Sequence, residues 1–250
     1  MSTSKKFDWE RYAKMYDSLN ELRPYRQMHG DVLKQLRNAR YPLLDAGCGT
    51  GNLTAKLACT QKNGVIGIDV SPGMIIRAQQ KSTAVPFVLA DLNRGLPFAN
   101  GTFNTVVCIN ALYALQDPGY TLRELSRVLE ESGRLIVVTP KYGYDNGLIL
   151  KAHCRSTKPD SLWQKPHLSA IRERALTLEA IPEPVIAARI LEVARLNRSI
   201  LLQRSFKFFT ANELSQLLRE SGFTKPQIAE TYACQNLLVT AMKGRTFNDS

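Results

Sequence analysis

Leu43-Leu44-Asp45-Ala46-Gly47-Cys48-Gly49-Thr50-Gly51-Asn52 decides the fold. A short apolar run ends in an acid, crosses three glycines spaced two apart and enters a helical pattern at Leu53, which predicts strand, tight turn and helix. Glycine suits such a turn because the backbone must take conformations closed to residues with a Cβ, and because a ligand lies against bare main chain. The spacing selects the ligand. A dinucleotide fingerprint, GxGxxG, needs its third glycine where Asn52 stands, and this chain has Gly47, Gly49 and Gly51 in the form GxGxG. NAD is thereby disfavoured, and a phosphate-binding P-loop is excluded because no GxxxxGK[ST] occurs.

Working outward, Val65 to Val70 predicts a second buried strand that ends in Asp69, 24 positions after Asp45. That is near the interval at which a β-α-β unit returns an acid to the glycine loop. A carboxylate there offers acceptor-only oxygens to both hydroxyls of a ribose. Ser71-Pro72-Gly73-Met74 marks a helix start, so Asp69 also suits a capping role. The helix from about Pro72 to Lys81 leads to a third strand ending in Asp91, and Phe103 to Asn110 predicts a fourth. A helix from about Tyr120 to Glu131, stopped by Gly133, precedes a fifth strand from Arg134 to Pro140.

The glycine turn with its three strand-end acids resembles motif I and its partners in the class I S-adenosylmethionine-dependent methyltransferases. Asp91 followed by Leu96-Pro97-Phe98 and then by Phe103 and Val106 is similar to the small-molecule branch, which includes the quinone C-methyltransferases; Asn104 departs from the Asp usual there. The resemblance covers roughly 41–140 and 206–243. It implies a Rossmann-like α/β fold: a seven-stranded, mostly parallel sheet with an antiparallel last strand, helices on both faces, N-terminal helices and a helical insertion before strand six. It also implies S-adenosyl-L-methionine as cofactor. The positions that match the family's site are Asp45, Gly47, Cys48, Gly49 and Gly51 at the turn, Asp69 and Val70 at the ribose, Met74, Asp91 and Leu92 toward the adenine, and Asn110 at the methionine end. A Trp-x-x-Tyr-Ala-x-x-Tyr-Asp helix covering the cofactor is matched from Trp9 to Asp17. Aromatic faces accommodate a sulfonium, which adds Tyr12 and Tyr16 to the cofactor set; a plain core stripe gives the same spacing.

Three parts are expected: a helical cover over 1–40, a core over 41–140 and 206–250, and a helical insertion over 141–205. Residues 7 to 22 predict one amphipathic helix, and Pro24 opens a second. Within the insertion, helical patterns fall at Leu168, Ile171, Ala175, Leu178 and Ile181, then at Ile186, Ile190, Val193, Leu196 and Ile200. An insertion there stands over the carboxyl ends of the strands, where open α/β sheets bind ligands, and reads as a substrate-selecting lid or as an interface. Thr210 and Glu213 form a capping box, and strands near Gln227–Tyr232 and Asn236–Met242 close the sheet.

The formal charge is +11, and residues 148 to 207 carry eleven basic against five acidic residues, more than half the excess. This favours an acceptor bearing a carboxylate or phosphate that arginine grips in bidentate fashion, although a solvated helical face has the same composition. Base-modifying relatives resemble one another in [Asn/Asp]-Pro-Pro-[Tyr/Phe] at the end of the fourth strand. Asn110-Ala111-Leu112-Tyr113 lacks the prolines, which argues against nucleic acid. Five widely spaced cysteines without a CxxC pair predict buried free thiols and no metal site. No apolar run has the length of a membrane span and the start lacks a secretory stretch, so the cytoplasm is expected.

The predicted reaction is methyl transfer from S-adenosylmethionine to an N, O or C nucleophile of a small, anionic metabolite. A methyltransferase for RNA or protein is the alternative that charge favours. A non-catalytic partner is the other, and an intact turn with three acids argues against it. In-line displacement draws most of its catalysis from orientation. Where a base is needed, His153, His167 and Tyr113 are the candidates, the histidines because they titrate in the useful range and stand in the insertion.

Overall fold

In a computed structural model of the chain, residues 7–60, 64–154 and 169–244 are described. Seven strands among them form one sheet: β1 (Leu43–Ala46), β2 (Val65–Asp69), β3 (Phe87–Leu89), β4 (Phe103–Ile109), β5 (Leu129–Pro140), β6 (Phe223–Thr231) and β7 (Asn236–Lys243). Their order is β3-β2-β1-β4-β5-β7-β6. β1 to β5 pair in parallel, and β7 runs antiparallel between β5 and β6. β1 and most of β4 are buried, which is why they read as unbroken apolar runs. Leu43 and Val107 join the layer that includes Met28 and Val32, while Leu44 and Val106 join the layer of Leu125 and Leu218, as the strand period demands.

The crossover helices are α3 (Asn52–Thr60), α4 (Pro72–Lys81), α5 (Pro118–Val128) and α9 (Ala211–Glu220), numbered with α1 (Trp9–Tyr16), α2 (Arg23–Gln35), α6 (Asn146–Cys154), α7 (Ser169–Ala180) and α8 (Pro184–Leu201). Ser71 and Asp117 cap α4 and α5 with a proline in the first turn, and Thr210 with Glu213 forms the expected capping box of α9.

Three expectations are corrected. The single helix over 7 to 22 is broken: α1 gives way at Asp17–Glu21 to a 3-10 turn before α2 begins. Asp17 Oδ1 receives Thr50 Oγ1 and Lys81 Nζ, each at 2.6 Å, and these tertiary bonds hold the chain at the helix end. The helix expected to reach Glu131 stops at Val128, because Leu129, fully buried, pairs with Phe103 and opens β5. Ser132, at φ +61, then returns the chain to the ladder at Arg134. In the insertion, α8 buries Ile190, Val193 and Ile200 as patterned, but α7 turns Leu176, Thr177 and Glu173 inward and leaves Ile171 and Leu178 exposed. The polar groups are neutralised locally: Glu173 pairs with Arg198 of α8, and Thr177 Oγ1 donates to the Glu173 carbonyl at 2.7 Å.

Of the cysteines, Cys48 and Cys108 are buried while Cys59 and Cys234 are exposed, so burial holds for only part of the set. Among the described residues, no helix is long and apolar enough to cross a membrane.

Candidate active site

A cavity of about 1120 Å³, counting space open to solvent, lies at the carboxyl ends of β1, β2 and β4. The glycine turn forms its floor. Gly47, Gly49 and Gly51 have φ of 76°, 54° and 75°, a region closed to most side chains. A Cβ on Gly47 would stand 2.5 Å from the Cβ of Ala111, and one on Gly51 2.9 Å from that of Ala78. The turn is therefore pressed between the end of β4 and α4. Gly49 faces the cavity beside Tyr16 and Met74.

Asp69 fastens the turn. Its Oδ2 accepts from Gly49 N and its Oδ1 from Ser71 N, both at 2.9 Å, and burial raises its pKa against the pull of these amides. It lines the cavity with lone pairs left for a diol. Asp91, held by Asn93 N and Nδ2 at 2.9 Å each, stands on the same wall with Leu92, Val70 and Met74. Asn110, in the left-handed region at φ 51°, ends β4 on the other side of the turn.

α1 covers the opening. Tyr12 and Tyr16 reach the cavity with ring centroids 5.4 Å apart, and the Tyr12 hydroxyl donates to Asn197 Oδ1 of α8 at 2.9 Å. Arg11 bonds Glu192 of α8 at 2.5 Å, and Glu10 accepts from Ser71 Oγ at 2.6 Å and Gly73 N at 3.1 Å. The first helix is thus tied both to the insertion and to the start of α4.

Several expected residues stand elsewhere. Asp45 is buried beneath the turn, where Thr54 Oγ1 donates to it at 2.5 Å and burial raises its pKa to about 6, so it supports the turn without reaching the cavity. Cys48 and Gly51 are likewise off the wall: the Cys48 thiol donates to the Gly49 carbonyl at 3.6 Å, and Gly51 lies against α4. His153 is not at the cavity. Its Nδ1 accepts from Arg23 N at 3.1 Å, capping α2, and burial with neighbouring Arg26 and Arg23 lowers its pKa. His167 lies outside the described residues. Tyr113 does line the cavity, near Phe206 and Phe208, and burial raises its pKa well above the usual phenol value.

The arginine clamp expected of the insertion is not found on this wall. Among the described residues no Lys, Arg or His lines the cavity. Arg174, Arg189 and Arg195 face solvent and Arg198 is held by Glu173. The far wall is instead made of Tyr113, Tyr144, Phe208, Tyr232, Asn197 and Asn236. Sequence reasoning missed Asn236, although a signal existed: β7 runs antiparallel, so its first residue falls at the carboxyl edge of the parallel strands, opposite Pro140.

Comparison with known proteins decides the assignment. Residues 44–137 match the methyltransferase domain family. Over that span the chain carries a methyltransferase domain. It is 32% identical over 141 residues to the demethylmenaquinone methyltransferase of Symbiobacterium thermophilum, covering 51% of this chain and 55% of that protein. It is 37% identical over 70 residues to the 18S rRNA (guanine-N(7))-methyltransferase of Bos taurus, covering 28% and 25%. The chain thus spans about half or less of the curated relatives it matches. In fold it is similar to a SAM-dependent methyltransferase from Aquifex aeolicus, with TM-score 0.61 and 18% identity over 95% of this chain and 100% of that one. S-adenosylmethionine is the cofactor of such a domain. The walls of this methyltransferase cavity fit it: bare backbone at Gly47 and Gly49, a carboxylate with free lone pairs at Asp69, a second acid at Asp91 and aromatic rings above.

Proposed function

We propose that the protein transfers the methyl group of S-adenosylmethionine to a nitrogen, oxygen or carbon nucleophile of a small molecule. One observation carries this reading: the glycine turn, Asp69, Asp91 and Asn110 share one cavity with a far wall of aromatic rings and carboxamides. When bound, the cofactor supplies an electrophilic methyl group. Asp69 accepts the two ribose hydroxyls, Asp91 the adenine amino group with Leu92 beside the ring, and Gly47, Gly49 and Asn110 hold the amino-acid tail. Tyr12 and Tyr16 place electron-rich faces near the sulfonium. The far wall then fixes the acceptor in line with the bond to be broken, and orientation supplies most of the rate.

Tyr113 acts in this scheme as a positioning group and not as a base. A phenol is neutral at neutral pH and burial raises its pKa further, so Tyr113 offers the acceptor an uncharged polar edge. The described parts of the cover, 7–40, and of the insertion, 141–154 and 169–205, serve as a lid, a reading supported by the Arg11–Glu192 and Tyr12–Asn197 bonds between them. Free exposed thiols at Cys59 and Cys234 suit a reducing compartment, the cytoplasm.

A second reading, methylation of RNA, is favoured by the net charge of +11 and by the similarity to the rRNA enzyme. Transfer of labelled methyl from S-adenosylmethionine into a cell extract, fractionated into small molecules, RNA and protein, separates them. Label in small molecules, lost with Asp69→Ala, supports the proposal; label in RNA supports the second reading.

A further inference from the structure

Tyr12 and Tyr144 both spend their hydroxyl protons on the scaffold. The Tyr12 hydroxyl donates to Asn197 Oδ1 and the Tyr144 hydroxyl to Asn146 Oδ1, each at 2.9 Å. Asn197 Nδ2 donates to Asn146 Oδ1 at 3.3 Å, and Asn146 Nδ2 to the Ala194 carbonyl at 3.2 Å, so the network is anchored in α8. A phenol has one proton, and once it is committed the oxygen offers only lone pairs. Tyr12 and Tyr144 line one cavity with Tyr113 and Tyr232.

Asn236 adds a third acceptor. Its side chain is fully buried, its Nδ2 donates to Asn110 Oδ1 at 2.7 Å, and its Oδ1 has no partner among the described residues. A buried carbonyl oxygen on a cavity wall costs free energy until a donor meets it. The wall is thus rich in lone pairs and ring faces, and it carries no formal charge among the described residues.

We propose that the methyl acceptor is an amine, with its N–H groups received by Asn236 Oδ1 and by the tyrosine oxygens; this rests on the methyl-transfer reading above. The amine enters the step neutral, a form that burial without a carboxylate partner favours. Its nitrogen lone pair forms the bond to the methyl carbon as the carbon–sulfur bond breaks, and that electron pair stays on sulfur. R–NH2 becomes R–NH2⁺–CH3, S-adenosylhomocysteine is left, and one N–H proton then passes to solvent. Positive charge moves from sulfur to nitrogen, and the lone pairs and ring faces of this wall stabilise it where it arrives. A carboxylate brings acceptors to acceptors, and an alcohol brings one donor and develops its charge on oxygen.

The test is calorimetric titration of the full chain saturated with S-adenosylhomocysteine, using 2-phenylethylamine, 2-phenylethanol and 3-phenylpropanoate as probes. The expected result is amine binding at least ~10-fold tighter than alcohol, with carboxylate weakest. Asn236→Leu should cut the amine preference at least ~5-fold and Asn236→Asp should enlarge it, each measured at an S-adenosylhomocysteine concentration that saturates that variant. Equal binding of amine and alcohol, a preference for the carboxylate, no binding of any probe, or an unchanged preference in Asn236→Leu would overturn the proposal while leaving methyl transfer standing. Failure of the wild type to bind S-adenosylhomocysteine would overturn both.

Discussion

The amide of Gly49 donates to Oδ2 of Asp69 at 2.9 Å, so the acid that ends β2 also sets the shape of the turn that ends β1. Ribose binding and turn geometry are therefore coupled in one side chain. Asp69→Ala should lose both, with S-adenosylhomocysteine affinity reduced at least ~100-fold and a lower melting temperature. Asp69→Asn keeps one acceptor and should recover much of the stability but little of the affinity. Calorimetry beside thermal melts checks the split; equal recovery of both would break the coupling.

Gly47 is confined by Ala111, with only 2.5 Å between their Cβ positions were Gly47 substituted. Gly47→Ala should destabilise the fold by about 2 kcal/mol or more, since it meets both a steric contact and a positive φ. Ala111→Gly in the same chain relieves the contact and not the φ strain, and should restore part of that loss. No recovery in the double variant would assign the whole cost to backbone conformation.

Glu10 holds α1 to the start of α4 through Ser71 Oγ and Gly73 N. Glu10→Ala should make residues 7 to 22 more sensitive to protease and weaken cofactor binding by about 3- to 10-fold, with little change in global stability. Wild-type protease protection in this variant would show that the clasp is not what seats α1.

His29 gives a pH signature. It is buried against Tyr25, with no hydrogen-bond partner for either ring nitrogen among the described residues, and burial lowers its pKa from 6.5 to about 4. Above pH 6.5 the ring is neutral folded or unfolded and contributes no slope. As pH falls from 6.5 to 4 the unfolded chain takes up the proton first, so stability drops, by about 3 kcal/mol at the limit. Asp45, with its pKa raised to about 6, acts in the opposite direction, losing stability as pH rises through that value. His29→Phe should flatten the acid limb of a stability–pH curve, and Asp45→Asn should steepen it. The reverse pattern would contradict both assignments.

Local signals carried the strand–turn–helix core well. The glycine turn, Asp45 and Asp69 near the ends of their strands, the helix start at Ser71-Pro72 and the Thr210 capping box depend on neighbours within a few residues, and all appear in the fold, whereas Asp91 falls just beyond β3 and Asp117 caps a helix that begins earlier than expected. The departures come from long-range contacts. Leu129 leaves its helix because Phe103 offers a strand partner, α7 presents its polar side inward because Arg198 waits there, and His153 caps α2 from another helix. Of the residues expected at the cofactor, Gly47, Gly49, Asp69 and Asp91 were legible as cavity lining from their spacing along the chain, whereas Asp45, Cys48 and Gly51 lie off the wall. The acceptor side was not legible: Asn197 and Asn236 gain meaning only when α8 and the antiparallel β7 are folded onto the ends of β4 and β5.

The most direct measurement is a crystal structure grown with S-adenosylhomocysteine. The expected electron density places the ribose hydroxyls on Asp69, the adenine beside Asp91 and Leu92, the amino-acid tail along Gly47, Gly49 and Asn110, and the sulfur beneath Tyr12 and Tyr16, pointing to Asn236. Density in any other part of the molecule, or a saturated protein whose cavity stays empty, would contradict the account.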